Sequence, residues 1–261
     1  MNEVLYTPLQ LREIFHLEFL RWLSKKIRTD FYVLKGGVNL RFFFKNIRYS
    51  EDMDLDIRSI EVEKLKEIVM NILNSSLFQN NLRVFGIEKV ISPDIIKAKQ
   101  TQTTQRFKIH LITTRGEDLF TKIEFSRRGF KGEISIEPVP EYILREYKIT
   151  PVIVPHYDIY SMVIQKIEAI ARRNIVQARD IFDLYVLSSQ YDESADKRKV
   201  KLSKSTLAVA QERVFEVSFE EFKDTVISYF SSEDKKIYDS SSLWDEIRLR
   251  VSNFIESFGD I

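Results

Sequence analysis

Asp52-Met53-Asp54-Leu55-Asp56 sets a carboxylate at every second position, and the apolar residues between them give the two-residue period of a strand with one acidic face. Carboxylates packed side by side repel unless solvent or a cation compensates. Magnesium does this when one or two carboxylates hold it and substrate phosphates complete its shell. A solvated face of an edge strand is the competing interpretation of the same run. A calcium loop is excluded: Asp52, Asp54, Asp56 and Glu63 match its acidic positions, but Ile57 stands where that loop requires glycine. Gly36-Gly37 is the second feature, two of only 7 glycines in the chain. Bare backbone amides at the start of a helix receive phosphate oxygens, although a tight turn with no ligand explains a lone Gly-Gly equally simply. Residues 38 to 51 separate the pair from Asp52, which is enough chain for one helix and a return into the next strand. A phosphate cradle and a metal-binding strand would then be neighbours.

Those residues need elements to hold them. Thr7 to Arg28 places Leu11, Ile14, Phe15, Glu18 and Trp22 at helical spacing behind Pro8, predicting a long amphipathic helix. Phe31 to Leu34 predicts a short strand, stopped by the glycine pair and followed by a helix through Leu40, Phe43 and Phe44. Val62 to Leu73 has the helical stripe Val62, Leu65, Ile68, Val69 and Ile72, and Leu82 to Ile91, Gln105 to Thr113 and Leu119 to Ser126 alternate like strands. From His156 onward there is no proline and a single glycine, so the remainder is expected to be helical. The boundary is placed near Pro155, giving domains 1–155 and 156–261. In the second, Ile159, Met162, Val163, Ala169 and Ile170 form one stripe with Lys166 inside it. Such a lysine either snorkels to solvent or is held for a purpose. Arg179 and Asp183 are spaced for an ordinary helix ion pair.

Leu34-Lys35-Gly36-Gly37-Val38-Asn39-Leu40-Arg41, followed by Arg48-Tyr49-Ser50-Glu51-Asp52-Met53-Asp54-Leu55, resembles the first motif of the AbiEii/MenT nucleotidyltransferase toxins, within the polymerase-β-type superfamily. Lys166, Ala169 and Arg172, then Arg179-Asp180-Ile181-Phe182-Asp183-Leu184, resemble that family's later lysine and Arg-Asp-x-x-Asp-Leu helices. The resemblance implies an α+β fold, a polymerase-β-like domain with a mixed sheet followed by a helical C-terminal domain. It implies Asp52 and Asp54 as ligands of Mg2+ or Mn2+, and Gly36, Gly37, Asn39, Arg41 and Lys166 as nucleotide contacts. Asp180 and Asp183 become site candidates on the same ground. A third carboxylate on a neighbouring strand is usual in the superfamily. Glu124 is the choice, since Ile123 and Phe125 face one way and Lys122, Glu124 and Ser126 the other, and a surface glutamate is the alternative. Val38 departs from the serine or threonine often found there, leaving Asn39 or backbone amides to meet the triphosphate.

The implied reaction is transfer of a nucleoside monophosphate from a nucleoside triphosphate to an acceptor hydroxyl, with release of pyrophosphate. The resemblance further implies a toxin of a toxin–antitoxin or phage-defence system, with an RNA acceptor such as the tRNA end and a cognate antitoxin protein. A non-catalytic nucleotide-binding module, or an enzyme that modifies a protein or small molecule, is the alternative. Composition narrows the rest. With 261 residues, 44% of them hydrophobic, the chain has material for one large domain or two small ones with true cores. Absence of cysteine excludes disulfides, thiolate zinc sites and cysteine nucleophiles. The three histidines are far apart, and neither a Gly-x-Ser-x-Gly elbow nor a Gly-Lys-Ser/Thr phosphate loop occurs. No apolar run suits a membrane span and MNEVLY does not read as a signal peptide, so a cytoplasmic protein without a membrane role is expected. The formal net charge is +1, yet residues 97–150 carry eleven bases against seven acids and Lys197 to Lys204 five bases and no acid. Such local excess suits nucleic acid.

Overall fold

The computed structural model describes residues 6–94, 100–192 and 202–259. The chain divides into two compact units, Met1–Phe43 with Tyr49–Tyr157, and Phe44–Arg48 with Asp158–Ile261. The basic run from Lys197 to Lys204 lies largely outside the described residues.

The first unit opens with α1 (Pro8–Leu23), whose Thr7 and Gln10 form a reciprocal capping box ahead of Pro8. The spacing led to an amphipathic helix, but Leu11, Glu13, Ile14, Phe15, His16, Leu17, Glu18, Phe19 and Leu20 are all buried. The polar members of that set are bonded internally, which is what lets the helix be covered on nearly every side. Arg41 chelates Glu13 at 2.7 and 3.2 Å, Arg21 holds Glu18, and His16 Nε2 sits 3.0 Å from Thr121 Oγ1.

Strand β1 (Tyr32–Lys35) leads into α2 (Gly36–Phe43), then β2 (Asp52–Ile57) and α3 (Val62–Leu73). Next come α4 (Ser76–Arg83), β3 (Ile87–Ile91), β4 (Thr104–Thr113), β5 (Asp118–Ser126), β6 (Ile134–Pro138), α5 (Glu141–Tyr147) and β7 (Ile153–Tyr157). The strands form one mixed sheet in the order β3-β4-β5-β2-β1-β7-β6. β2 runs antiparallel to β1 and parallel to β5, so the acidic strand is central and not an edge. Its Met53, Leu55 and Ile57 point into the core with Phe107, Ile109, Ile123 and Phe125, against α1, α3 and α4.

The expected strand over Leu82–Ile91 is two elements instead. Ser75 caps α4 by accepting from Phe78 N, Phe78 and Leu82 bury one helical face, and Gly86 at φ 96° turns the chain into β3. β6, α5 and β7 carried no clear sequence signal among Pro138, Pro140, Pro151 and Pro155. Pro155 has no N–H to give a ladder, and β7 meets β1 at one register pair, Leu34 with His156.

The second unit is helical: α6 (Ile159–Arg172), α7 (Ala178–Ser188), α8 (Lys204–Arg213), α9 (Phe219–Thr225), α10 (Ser232–Tyr238) and α11 (Ser241–Gly259). Serines at 203, 218 and 231 cap α8, α9 and α10. Trp244 stacks on Phe222 at 4.1 Å and gives its indole N–H to Val217 O, while Phe182 packs against Phe222 and Phe230.

Candidate active site

Register brings the glycine turn to the acidic strand. Lys35, the last residue of β1, lies directly across from Asp54, so Gly36 follows at the carboxylate itself. Gly36 has φ 68°, a conformation natural to glycine, and a Cβ placed there would meet Asp54 Oδ2 at 3.0 Å. Two separate constraints therefore disfavour a side chain at Gly36, one from backbone torsion and one from the neighbouring carboxylate. Gly36 and Gly37 open α2, whose first-turn N–H groups lack intrahelical acceptors. Positive helix end and carboxylate are thus adjacent.

The three aspartates of β2 have different environments. Asp56 is buried and fully engaged: Lys35 Nζ reaches Oδ1 at 2.5 Å and Tyr157 donates its hydroxyl to Oδ2 at 2.5 Å. Asp52 is about a third exposed, at 33%, and pairs with Lys122 at 2.8 Å. Asp54 lies between them with its pKa raised, first by burial and then by the charges of Glu124 and Asp52, against the opposing pull of Lys35 and Lys122. Glu124 is its register partner on β5 and is held by Arg106 at 2.6 Å. Asp52, Asp54 and Glu124 thus share one face of the sheet.

Asp54 is the group a cation would relieve, since its charged form is disfavoured by burial and by like charges. Among the described residues no cluster of three or more metal-ligating side chains is formed. Magnesium does not require one, because it takes one or two carboxylates and completes its shell from phosphate and water. The donor set of Asp52 and Asp54, hard carboxylate oxygen beside the opening of α2, fits that ion.

The remaining residues of the first motif are placed differently. Asn39 is fully buried and donates to Tyr157 O at 3.0 Å, with Oδ1 unpartnered. Arg41 is committed to Glu13 and lies 4.2 Å over the Tyr49 ring, while Tyr147 gives its hydroxyl to the same Glu13 at 2.6 Å. Val38 is a core residue.

In the helical unit, Lys166 on α6 is buried and donates to Asp180 Oδ1 at 2.9 Å and Asp183 Oδ2 at 2.6 Å on α7. Asp183 also receives Arg48 at 3.1 Å and Asn46 at 2.7 Å, and Asp180 pairs with Arg173. Burial alone would lower the Lys166 pKa, but the two carboxylates outweigh it and raise it. Burial alone would raise that of Asp183, and Arg48 and Lys166 reverse it. Asp183 is therefore not the partner of Arg179, which is exposed. The cluster fastens Phe44–Arg48, the segment between α2 and β2, to α6 and α7. Arg48 and Asn46 were missed as working residues because their carboxylate partner lies more than 130 positions away. Lys122 shares a strand face with Glu124 by parity, whereas Lys35 and Arg106 reach the acidic residues through strand register, which no local pattern shows.

Solved structures that share this fold include the following two. JHP933 from Helicobacter pylori is 20% identical with a TM-score of 0.57, over 97% of this chain and 93% of its own. MenT4, a nucleotidyltransferase toxin from Mycobacterium tuberculosis, is 17% identical with a TM-score of 0.65, over 95% and 84%. The fold class is thus α+β, a mixed sheet with a helical C-terminal region, of nucleotidyltransferase type. The family model described as nucleotidyl transferase AbiEii toxin, type IV toxin–antitoxin system, matches residues 18–245, and the chain belongs to that family. It is a nucleotidyltransferase toxin. Members of the family generally use divalent metals. None of the curated protein sequences matches this one. Among the described residues no helix is long and apolar enough to cross a membrane.

Proposed function

We propose that the chain transfers a nucleoside monophosphate from a nucleoside triphosphate to a hydroxyl of RNA, such as the end of a tRNA, with Asp52 and Asp54 holding Mg2+ or Mn2+. The observation that carries this reading is the packing of Gly36, at positive φ and opening α2, against the buried carboxylate of Asp54. The first-turn amides of α2 bind phosphate oxygens and orient the chain of phosphates along the strand. Asp54 supplies the charge that a bound divalent ion needs, and Glu124, its register partner, is assigned to accept the proton of the attacking hydroxyl. When bound, the ion would neutralise the triphosphate and lower the pKa of that hydroxyl. The hydroxyl oxygen forms a bond to the α-phosphorus, the α–β bridging bond breaks, and pyrophosphate leaves.

Lys166, Asp180 and Asp183 are assigned to positioning. Their ion pairs with one another and with Arg48 hold Phe44–Arg48, through which the chain enters β2. A cognate antitoxin and cytoplasmic action belong to the same reading. Incubation with each labelled triphosphate, Mg2+ or Mn2+ and total RNA tests it. Label in RNA, with pyrophosphate release lost by orders of magnitude in Asp54→Asn, is the expected result. Label found only in protein or small molecules refutes the RNA acceptor, and full turnover in a folded Asp54→Asn refutes the site.

A further inference from the structure

Strand register lays out a second surface beside the acidic pair. Asp52 on β2 stands next to Lys122 on β5, which stands opposite Lys108 on β4. One step along the strands, Glu124 stands opposite Arg106. One step the other way, Phe120 stands opposite His110, which faces Ile91 on β3. These side chains share one face, since directly opposed residues in a ladder point the same way. The His110 and Phe120 rings meet edge to face at 5.6 Å. Phe120 is 38% exposed and Ile91 41%.

Lys108 directly opposite Lys122 is unfavourable for a sheet standing alone, because like charges in that position destabilise it. Lys122 is neutralised by Asp52, and Arg106 by Glu124. Lys108 is exposed and makes no ion pair among the described residues. With Asp52 answering Lys122, Lys108 is left as the basic group of this face that an anion would meet. A cation at Asp52 and Asp54 would also release Lys122 from its carboxylate and turn a second basic group toward the same anion.

We infer that the β4–β5 face is the track along which single-stranded RNA runs to the site, its phosphates on Lys108 and Lys122 and a base stacked on Phe120 and His110. The inference rests on the proposal that the acceptor is RNA. Alternate residues on a strand are about 6.6 Å apart, so a nucleotide at Phe120 lies a short step from the carboxylates where its neighbour's hydroxyl must arrive. Basic groups interleaved with exposed aromatic rings are the recurring composition of single-strand binding surfaces, where stacking tolerates any base. His110 is held by Asp118 at 2.9 Å, and an acidic protein would satisfy the lysines but give the exposed Phe120 ring nothing to stack on.

The test is fluorescence anisotropy of a short labelled single-stranded oligoribonucleotide with the full chain across a salt series. Lys108→Gln should reduce the slope of log affinity against log salt by about 0.7 to 1. Phe120→Ala should weaken binding by roughly tenfold at every salt and leave the slope unchanged. Lys236→Gln, an exposed lysine in α10, should do neither, and melting curves check that each variant is folded. If the wild-type protein binds RNA and both variants bind as it does, the track is wrong while the RNA reading stands. If the wild-type protein binds no RNA, both fall. If polyglutamate displaces the RNA at equal charge and Phe120→Ala has no effect, the face is a site for acidic protein and the inference is overturned.

Discussion

Replacing Gly36 by alanine separates fold from function in a single methyl group. At φ 68° an alanine pays roughly 1–2 kcal/mol in backbone strain. In a domain of this size that lowers the melting temperature by about 2–8 °C. The second effect is local, because the new Cβ would sit 3.0 Å from Asp54 Oδ2, which real Cβ atoms seldom approach so closely. Either the carboxylate swings away or the turn opens by some tenths of an ångström. Misplacement of a reacting group by about 1 Å can cost on the order of a hundredfold in rate, so a loss of roughly ten- to a hundredfold in turnover is expected. Gly116→Ala supplies the comparison, since Gly116 has φ 81° and nothing within 4 Å of its Cβ position. It should show a similar melting shift and near-normal turnover. Pyrophosphate release and thermal melting are measured on both. Equal turnover in the two variants at equal destabilisation would refute the view that Gly36 is required for its contact with Asp54.

Lys166→Met breaks buried ion pairs and leaves Asp180 and Asp183 with less compensation, so stability should fall by about 3 kcal/mol, read as a lower urea midpoint; triphosphate affinity per folded molecule should stay near normal, and a stable variant with lost affinity would return Lys166 to phosphate contact. Asp54→Asn removes a carboxylate whose charged form is disfavoured by burial, so melting should hold or rise while Mn2+ binding, followed by electron paramagnetic resonance, is lost. His16 is buried with its pKa lowered to about 3. The unfolded chain binds its proton near pH 6.5 and the native chain does not, so stability falls as pH drops from about 6.5 to 3, by at most about 4–5 kcal/mol. His16→Gln should flatten that part of a stability–pH curve, and an unchanged slope would show that another group sets it.

Legibility in the sequence followed the range of the interaction. Parity grouped Asp52 with Asp54 on one strand face and Glu124 with Lys122 on another, the family resemblance put Glu124 forward as the third carboxylate, and the register of β2 with β5 sets it beside Asp54. The glycine pair beside the acidic strand followed from the length of the intervening chain. The helix over Val62–Leu73 was legible because its apolar period is local. Asp56 looked equivalent to its neighbours by parity, and its pairing with Lys35 and Tyr157 separates it from them. That distinction depends on β7, which is placed by long-range pairing and interrupted by Pro155. Arg41 carried no local sign that it serves Glu13, and Lys166 left open which partner held it, since both answers lie in other segments. The burial of α1 on nearly all sides was hidden for the same reason: its polar residues count as solvent-facing until their partners are known.

The five residues from Phe44 to Arg48 belong to the helical unit although both flanks belong to the sheet. The polypeptide therefore changes unit three times, and a cut after Tyr157 does not yield two self-sufficient parts. Such a fragment would retain Arg48 and Asn46 while discarding Asp183, and the helical remainder would keep Asp183 and lose them. Gene fusion or shuffling at the sheet–helix junction would carry the same defect into any hybrid. The two units are thus bound to be inherited together, spliced as one cassette, because a stretch too short to fold alone is written in the middle of one and completed by the other.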